Sequence, residues 1–209
     1  MRSLLAIALR TTLLTLVVTG LLYPLAVTGL AMALFPGRAR GSWATDERGQ
    51  VVGSELLAQQ FSSPSYFQPR PSAAGQNGFD ATASSGSNLG PTSKKLRDGA
   101  AEALKKLEAE NPAAPRPVPA ELVTASASGL DPHLSPGATQ WQVKRVAAAR
   151  GLSEDRVRAV VAGHTEGRTL GFLGEPRVNV LLLNLALDRQ FGRPNQPPSG
   201  SPTSVPPLH

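Results

Sequence analysis

TTLLTLVVTGLLYPLAVTGLAMALFPG, residues Thr11 to Gly37, contains no charged side chain and has no counterpart elsewhere in the chain. A bilayer core is crossed by about 20 helical residues, so this run is long enough to span it. Eight leucines and three valines lie inside it. At the centre of a membrane each contributes roughly −0.3 to −0.6 kcal/mol, a gross term of about −3 to −6 kcal/mol that outweighs Pro24 and the glycines. Two other readings compete with an uncleaved anchor. A secretory signal would have basic residues in front (Arg2, Arg10) and a small-residue cleavage site, which Ala31-Met32-Ala33 resembles. Its apolar segment, however, would be about half as long. A buried helix of a soluble protein is the third reading, and it rarely needs so long an unbroken apolar run. Arg2 and Arg10 on one side and Arg38 and Arg40 on the other leave the positive-inside count tied. The run therefore reads as an anchor whose direction it does not state.

Outside residues 11–37 there is material for one ordinary domain. The chain of 209 residues has no cysteine, which excludes disulfides, thiolate metal sites and cysteine nucleophiles. Its net charge is +6 and its pI near 10.3. The positive side chains are scattered, and Asp98, Glu102, Glu108 and Glu110 are interleaved with Lys94, Lys95, Lys105 and Lys106. With aromatics at only 5%, no stacking platform accompanies them, so the charges read as solvated faces and not as a nucleic-acid surface.

Beyond the anchor, Gly41 to Gly49 is a polar junction with Trp43 suited to a membrane–water boundary. Ser54 reads as the N-cap of a short helix over Glu55–Phe61. Ser62 to Pro91 is dense in Ser, Gly, Pro and Asn and reads as loop. Its length, and the presence of Tyr66, Phe67, Arg70 and Phe79, point to an ordered loop that packs or binds. Thr92–Glu110 is a helix with Leu96, Ala100, Ala103, Leu104 and Leu107 on one stripe. Asn111-Pro112 ends it, and Pro115 to Pro119 is a stiff connector. Glu121–Ser126 reads as a short strand. Ser135-Pro136 opens a helix that runs to Arg150 and terminates at Gly151. Ser153 caps another, with Val157, Val160 and Val161 as its buried stripe. Arg177–Asn184 (RVNVLLLN) reads as the best strand. From Gly192 onward the Pro/Ser-rich tail lacks the apolar content for a core and reads as disordered.

Chemistry is sparse. No Gly-x-x-x-x-Gly-Lys-Ser/Thr loop and no Gly-x-Gly-x-x-Gly after a strand occurs. Gly86 to Lys94 (GSNLGPTSK) comes nearest, but its lysine is misplaced and Pro91 removes a donor, so a turn capping the next helix is the simpler reading. Asp131/His133 and His164/Glu166 do not have helical metal-ligand spacing. No Gly-x-Ser-x-Gly elbow is present. In the anchor, Thr12, Thr15, Thr19, Gly20 and Gly29 suit close packing against another helix, although a solitary helix in lipid tolerates them too.

A series of segments in fixed order nonetheless carries a resemblance. It includes Gly53-Ser54, Tyr66-Phe67 with Arg70-Pro71-Ser72, Gly86–Pro91, Val123–His133, Ser135-Pro136, and Gln142 with Arg145-Val146-Ala147. It closes with Gly174–Leu181 and Asn184–Asp188. The chain resembles the KdpC family, the C subunit of Kdp-type high-affinity potassium-transporting P-type ATPases, from the anchor to about Phe191. Phe79, where the family often has tyrosine, and the long tail are departures. The resemblance implies an α+β architecture: a single N-terminal transmembrane helix followed by one mixed helix/strand soluble domain. The expected boundaries are a short segment at 1–10, the transmembrane helix at 11–37, an extracytoplasmic soluble domain at 38–191 and a disordered tail at 192–209. It also implies a single-pass protein of the bacterial inner membrane, with the N-terminus cytoplasmic.

The implied function is a non-catalytic accessory subunit, with no cofactor of its own, that assembles or stabilises an ATP-driven potassium-uptake complex. Its partners would be a channel-like potassium-binding subunit, an ATP-hydrolysing P-type subunit and membrane lipid. The family is also associated with a raised ATP affinity of the catalytic subunit, and a glutamine matching Gln142 makes that residue the nucleotide-contact candidate. Tyr66, Phe67, Arg70, Asn88, Asp131, Arg145 and Asn179 are the partner-docking candidates. The contrasting expectation is a stand-alone membrane-anchored extracytoplasmic binding module.

Overall fold

The computed structural model describes residues 1–194, so the tail expected at 192–209 lies outside the described residues from 195 onward. Helix α1 runs Arg2–Leu34, contains an 18-residue stretch of mean hydropathy 2.0, and has none of its side chains buried by the rest of the chain. It begins earlier than the apolar run because Arg2 and Arg10 extend it at the polar end. Over Val18–Leu22 the helix widens to an i→i+5 turn. Pro24 explains the position: its ring cannot donate to Gly20 and crowds that carbonyl, and one wider turn absorbs the conflict. Three of the anchor's threonine hydroxyls bond back within the helix, Thr11 to Ile7, Thr15 to Thr11 and Thr19 to Thr15, at 2.7–2.9 Å. No external partner is needed for them in an apolar medium.

The soluble part is mixed helix and strand. A hairpin of β1 (Trp43–Thr45) and β2 (Val51–Ser54) leads from the anchor. Helix α2 (Lys94–Glu110) follows a long loop, then come β3 (His133–Leu134), α3 (Pro136–Arg150), α4 (Glu154–Gly163), β4 (Thr165–Glu166), β5 (Arg177–Asn179) and α5 (Val180–Phe191). The three later strands form an antiparallel sheet in the order β3-β5-β4. The main core lies among α3, α4, α5 and this sheet, built on Phe67, Leu134, Val143, Val146, Val157, Val161, Val178, Leu183 and Leu187. A smaller cluster of Ala44, Leu181 and Leu185 joins α5 to the first hairpin.

Several expected boundaries hold for the expected reasons. Ser135 accepts a backbone N–H three residues on, and Gly151 ends α3 with φ +65°; α2, expected from Thr92, starts at Lys94, with Ser93 accepting from Leu96 N. Val157, Val160 and Val161 are the buried face of α4, although the Ser153 hydroxyl makes no cap bond there. The loop at 62–91 contains no strand or helix.

Three expectations are corrected. Glu55–Phe61 is not helical: the Ser54 hydroxyl donates to Gly41 and accepts from Leu56, closing a turn, and Ala58 bonds Leu130 instead of its own helix. Glu121–Ser126 is not a strand. One 3₁₀ turn covers Ala120–Leu122, and the Glu121 carboxylate receives the backbone N–H and hydroxyl of Ser135, reinforcing the start of α3. The strand predicted over Arg177–Asn184 stops at Asn179, whose side chain accepts from Leu182 N and starts α5. The leucines that follow serve two clusters on different sides of the helix, which erases the one-sided period that would have revealed it.

Candidate functional site

The site grows from the loop segment Ser65–Gln68, which is bonded to α3 and α5. A loop segment inside a core has backbone groups that need partners. Here two amide side chains supply them. Asn184 on α5 accepts from Phe67 N and donates to Phe67 O, both at 2.9 Å. Gln142 on α3 does the same for Gln68, accepting from its N–H and donating to its carbonyl at 2.9 Å. Each amide imitates the edge of a β-strand. The Phe67 ring between them is fully buried, a contribution of roughly 1.5–3 kcal/mol relative to exposure.

Two arginines of α3 extend the arrangement. Arg145 donates to Tyr66 O at 3.1 Å, to Pro64 O at 2.5 Å and to Gln142 Oε1 at 2.7 Å. Burial pushes its guanidinium below its ordinary pKa. Arg150 donates to Ser65 O and pairs with Asp188 at 2.8 Å, with side chains only 3% and 10% exposed. Its guanidinium also lies 4.9 Å over the Tyr66 ring. The Tyr66 hydroxyl donates to Asp188 at 2.9 Å. Desolvation first, then that hydrogen bond and the Asp188 charge, push the phenol up to about 12. The carboxylate thus links the loop to both helices.

The other expected residues are placed as follows. Arg70 reaches Ala125 O at 3.2 Å and Asp131 at 3.7 Å, while its Nε is buried without a hydrogen-bond partner. Asp131 accepts from His133 N at 3.0 Å, and His133 holds its carboxyl below the usual range. Asn179 caps α5 and donates to Glu55 O at 2.7 Å. Asn88 lies apart, exposed, with φ +51°. Gly129 lets the loop close: its φ is +69°, and a Cβ would fall 2.6 Å from Ser85 O and 2.7 Å from Ala74 N. Beside the clamp is a cleft of about 440 Å³, between the loop and α2, bordered by Gln68, Arg70, Phe79, Leu107, Glu110 and Gln142.

Chemically the arrangement is a scaffold. Gln142 is 2% exposed and its carboxamide is engaged with Gln68 and Arg145. Among the described residues no group of His, Asp and Glu is arranged to hold a metal ion. Sequence reading missed Asn184, Asp188 and Arg150 as members of the site. Asn184 and Asp188 are four apart inside an apolar run, the spacing of one helix face, and that signal was hidden once the run was read as a strand.

If the clamp holds the loop, truncating it leaves buried backbone groups unpaired. Asn184→Ala and Gln142→Ala should each destabilise the soluble part by about 2–4 kcal/mol. Asn184→Leu, which keeps the volume, should cost as much as Asn184→Ala. Denaturant unfolding followed by tryptophan fluorescence measures this, and a Leu variant as stable as wild type would show that packing and not hydrogen bonding matters.

Comparison with known proteins agrees with the earlier resemblance. Residues 5–189 match the family model described as KdpC: K+-transporting ATPase, c chain. The Potassium-transporting ATPase KdpC subunit of Myxococcus xanthus is 67% identical over 185 residues, covering 88% of this chain and 87% of that one. The proteins of the same name from Sorangium cellulosum and Koribacter versatilis are 56% and 51% identical, over 81% and 85% of this chain and about nine-tenths of their own. With the loop clamp and nearly all of the anchor and α5 inside one continuous match, the chain belongs to the KdpC family.

Proposed function

We propose that the chain is a non-catalytic accessory subunit of an ATP-driven, high-affinity potassium-uptake complex, needed for its assembly or stability. Its partners are a channel-like potassium-binding subunit and an ATP-hydrolysing P-type subunit. The observation that carries the reading is α1, a 33-residue helix, apolar over a bilayer's thickness, in which no side chain is buried by the rest of the chain. In a single-span protein such a surface is met by lipid and by other membrane helices. The name shared by the relatives supports this reading.

Affinity purification from gently solubilised membranes is expected to bring down two large membrane subunits in fixed stoichiometry. Recovery of the chain alone would instead favour a stand-alone anchored binding module.

In this reading residues 1–10 are cytoplasmic and the soluble domain, 38–191, lies outside the inner membrane. The chain has no cysteine, so single Ser3→Cys and Ser199→Cys variants can be compared directly. An impermeant thiol reagent on intact cells should label the second and spare the first. The reverse pattern inverts the orientation.

Any effect on ATP affinity is proposed to act through the catalytic subunit, with Gln142 holding the Gln68 backbone rather than touching nucleotide. Titration of the purified full chain with ATP should show no saturable heat at a Kd of about 10 μM or tighter, near −7 kcal/mol. A saturable signal that disappears in Gln142→Ala would make Gln142 a direct contact.

A further inference from the structure

Tyr66, Phe67, Arg145 and Asn179 are engaged with their own chain, which raises the question of what the soluble part offers a partner. Beyond residue 35, the two most exposed large apolar side chains among the described residues are Leu170 at 80% and Phe172 at 68%, with Leu173 at 49% beside them. All three stand on the turn joining β4 to β5.

The turn is built, not slack. Thr169 and Leu173 exchange two backbone hydrogen bonds of 2.9 Å, closing a three-residue tip. Leu170 (φ +55°) and Gly171 (φ +84°) both occupy the left-handed region, which a leucine adopts only under constraint. Below the tip, Arg168 pairs with Glu175 at 2.7 Å and Arg177 with its cross-strand neighbour Glu166 at 2.9 Å. The hairpin is rooted near the anchor: Asn179 at the end of β5 donates to Glu55 O, and Glu55 N donates to Ser42 O, just beyond α1.

We propose that the Leu170-Gly171-Phe172-Leu173 tip is a docking knob that inserts into an uncharged, apolar pocket on a protein subunit surrounding the anchor. This rests on the subunit reading above. A bilayer is the other surface within reach of an anchored domain, but the features of the tip suit it less. Interfacial binding draws on basic side chains facing anionic headgroups, and the four charges flanking this tip are paired with one another. A left-handed leucine fixes the shape of the knob. A fluid lipid surface gains nothing from a fixed shape, whereas a shaped pocket does. Aromatic anchors in pockets are also where interface energy concentrates.

The test places the photo-crosslinker p-benzoylphenylalanine at position 172 in the full chain, expressed with its membrane complex. Irradiation is expected to give a covalent adduct with one co-purifying membrane subunit. The Leu170→Ser/Phe172→Ser chain should recover that subunit at least about tenfold less, with an unchanged unfolding midpoint, because both positions are exposed. Adducts with lipid, with a second copy of this chain or with nothing, in a complex that still co-purifies intact, overturn the knob while leaving the subunit reading standing. A wild-type chain that purifies alone overturns both.

Discussion

The soluble part depends on how a backbone segment without a strand partner is accommodated inside a core. Phe67 and Gln68 belong to no helix or strand, and Phe67 is fully buried. Left unpaired, their peptide groups would cost about 1–3 kcal/mol each. Asn184 and Gln142 remove that cost by presenting a donor and an acceptor at strand-like spacing. Because the two amides come from different helices, the segment also fixes α3 and α5 relative to one another.

From that clamp the rest follows outward. Arg145 and Arg150 continue the same face of α3 toward Tyr66, Ser65 and Pro64, so a loop rich in Gly, Ser and Pro becomes a layer of the domain. The Arg150–Asp188 pair is buried, and burying a single charge there would be far costlier than burying the pair. Tyr66 completes it by donating to the same carboxylate. Tyr66 and Arg145, two of the docking candidates, are bonded within the chain, and the exposed apolar turn at residues 170–173 is a separate surface.

The two parts of the chain solve opposite solvation problems. In α1, the Thr11, Thr15 and Thr19 hydroxyls bond back to the helix, and no charged side chain faces outward between Thr11 and Leu34. In the soluble part, amides and guanidinia are turned inward to satisfy a buried loop. The hairpin β1–β2 joins the two, tied to the base of the anchor through Ser54 and Glu55 and to α5 through Leu181 and Leu185.

Local order determined much of this chain in advance. The apolar run of α1, the serine cap at Ser135, the glycine stop at Gly151 and the valine stripe of α4 are all legible because each depends on residues within one or two turns. The family was legible too, in the order of its loop segments. Tertiary structure alone decided that RVNVLLLN divides at Asn179, because the leucines after it face two separate clusters and so show no single-sided period. It alone decided that ELVTAS has no sheet to join and that Glu121 supports α3. The clamp was equally hidden. Asn184 and Phe67 are 117 residues apart, and no local pattern states which buried backbone group a distant amide will satisfy.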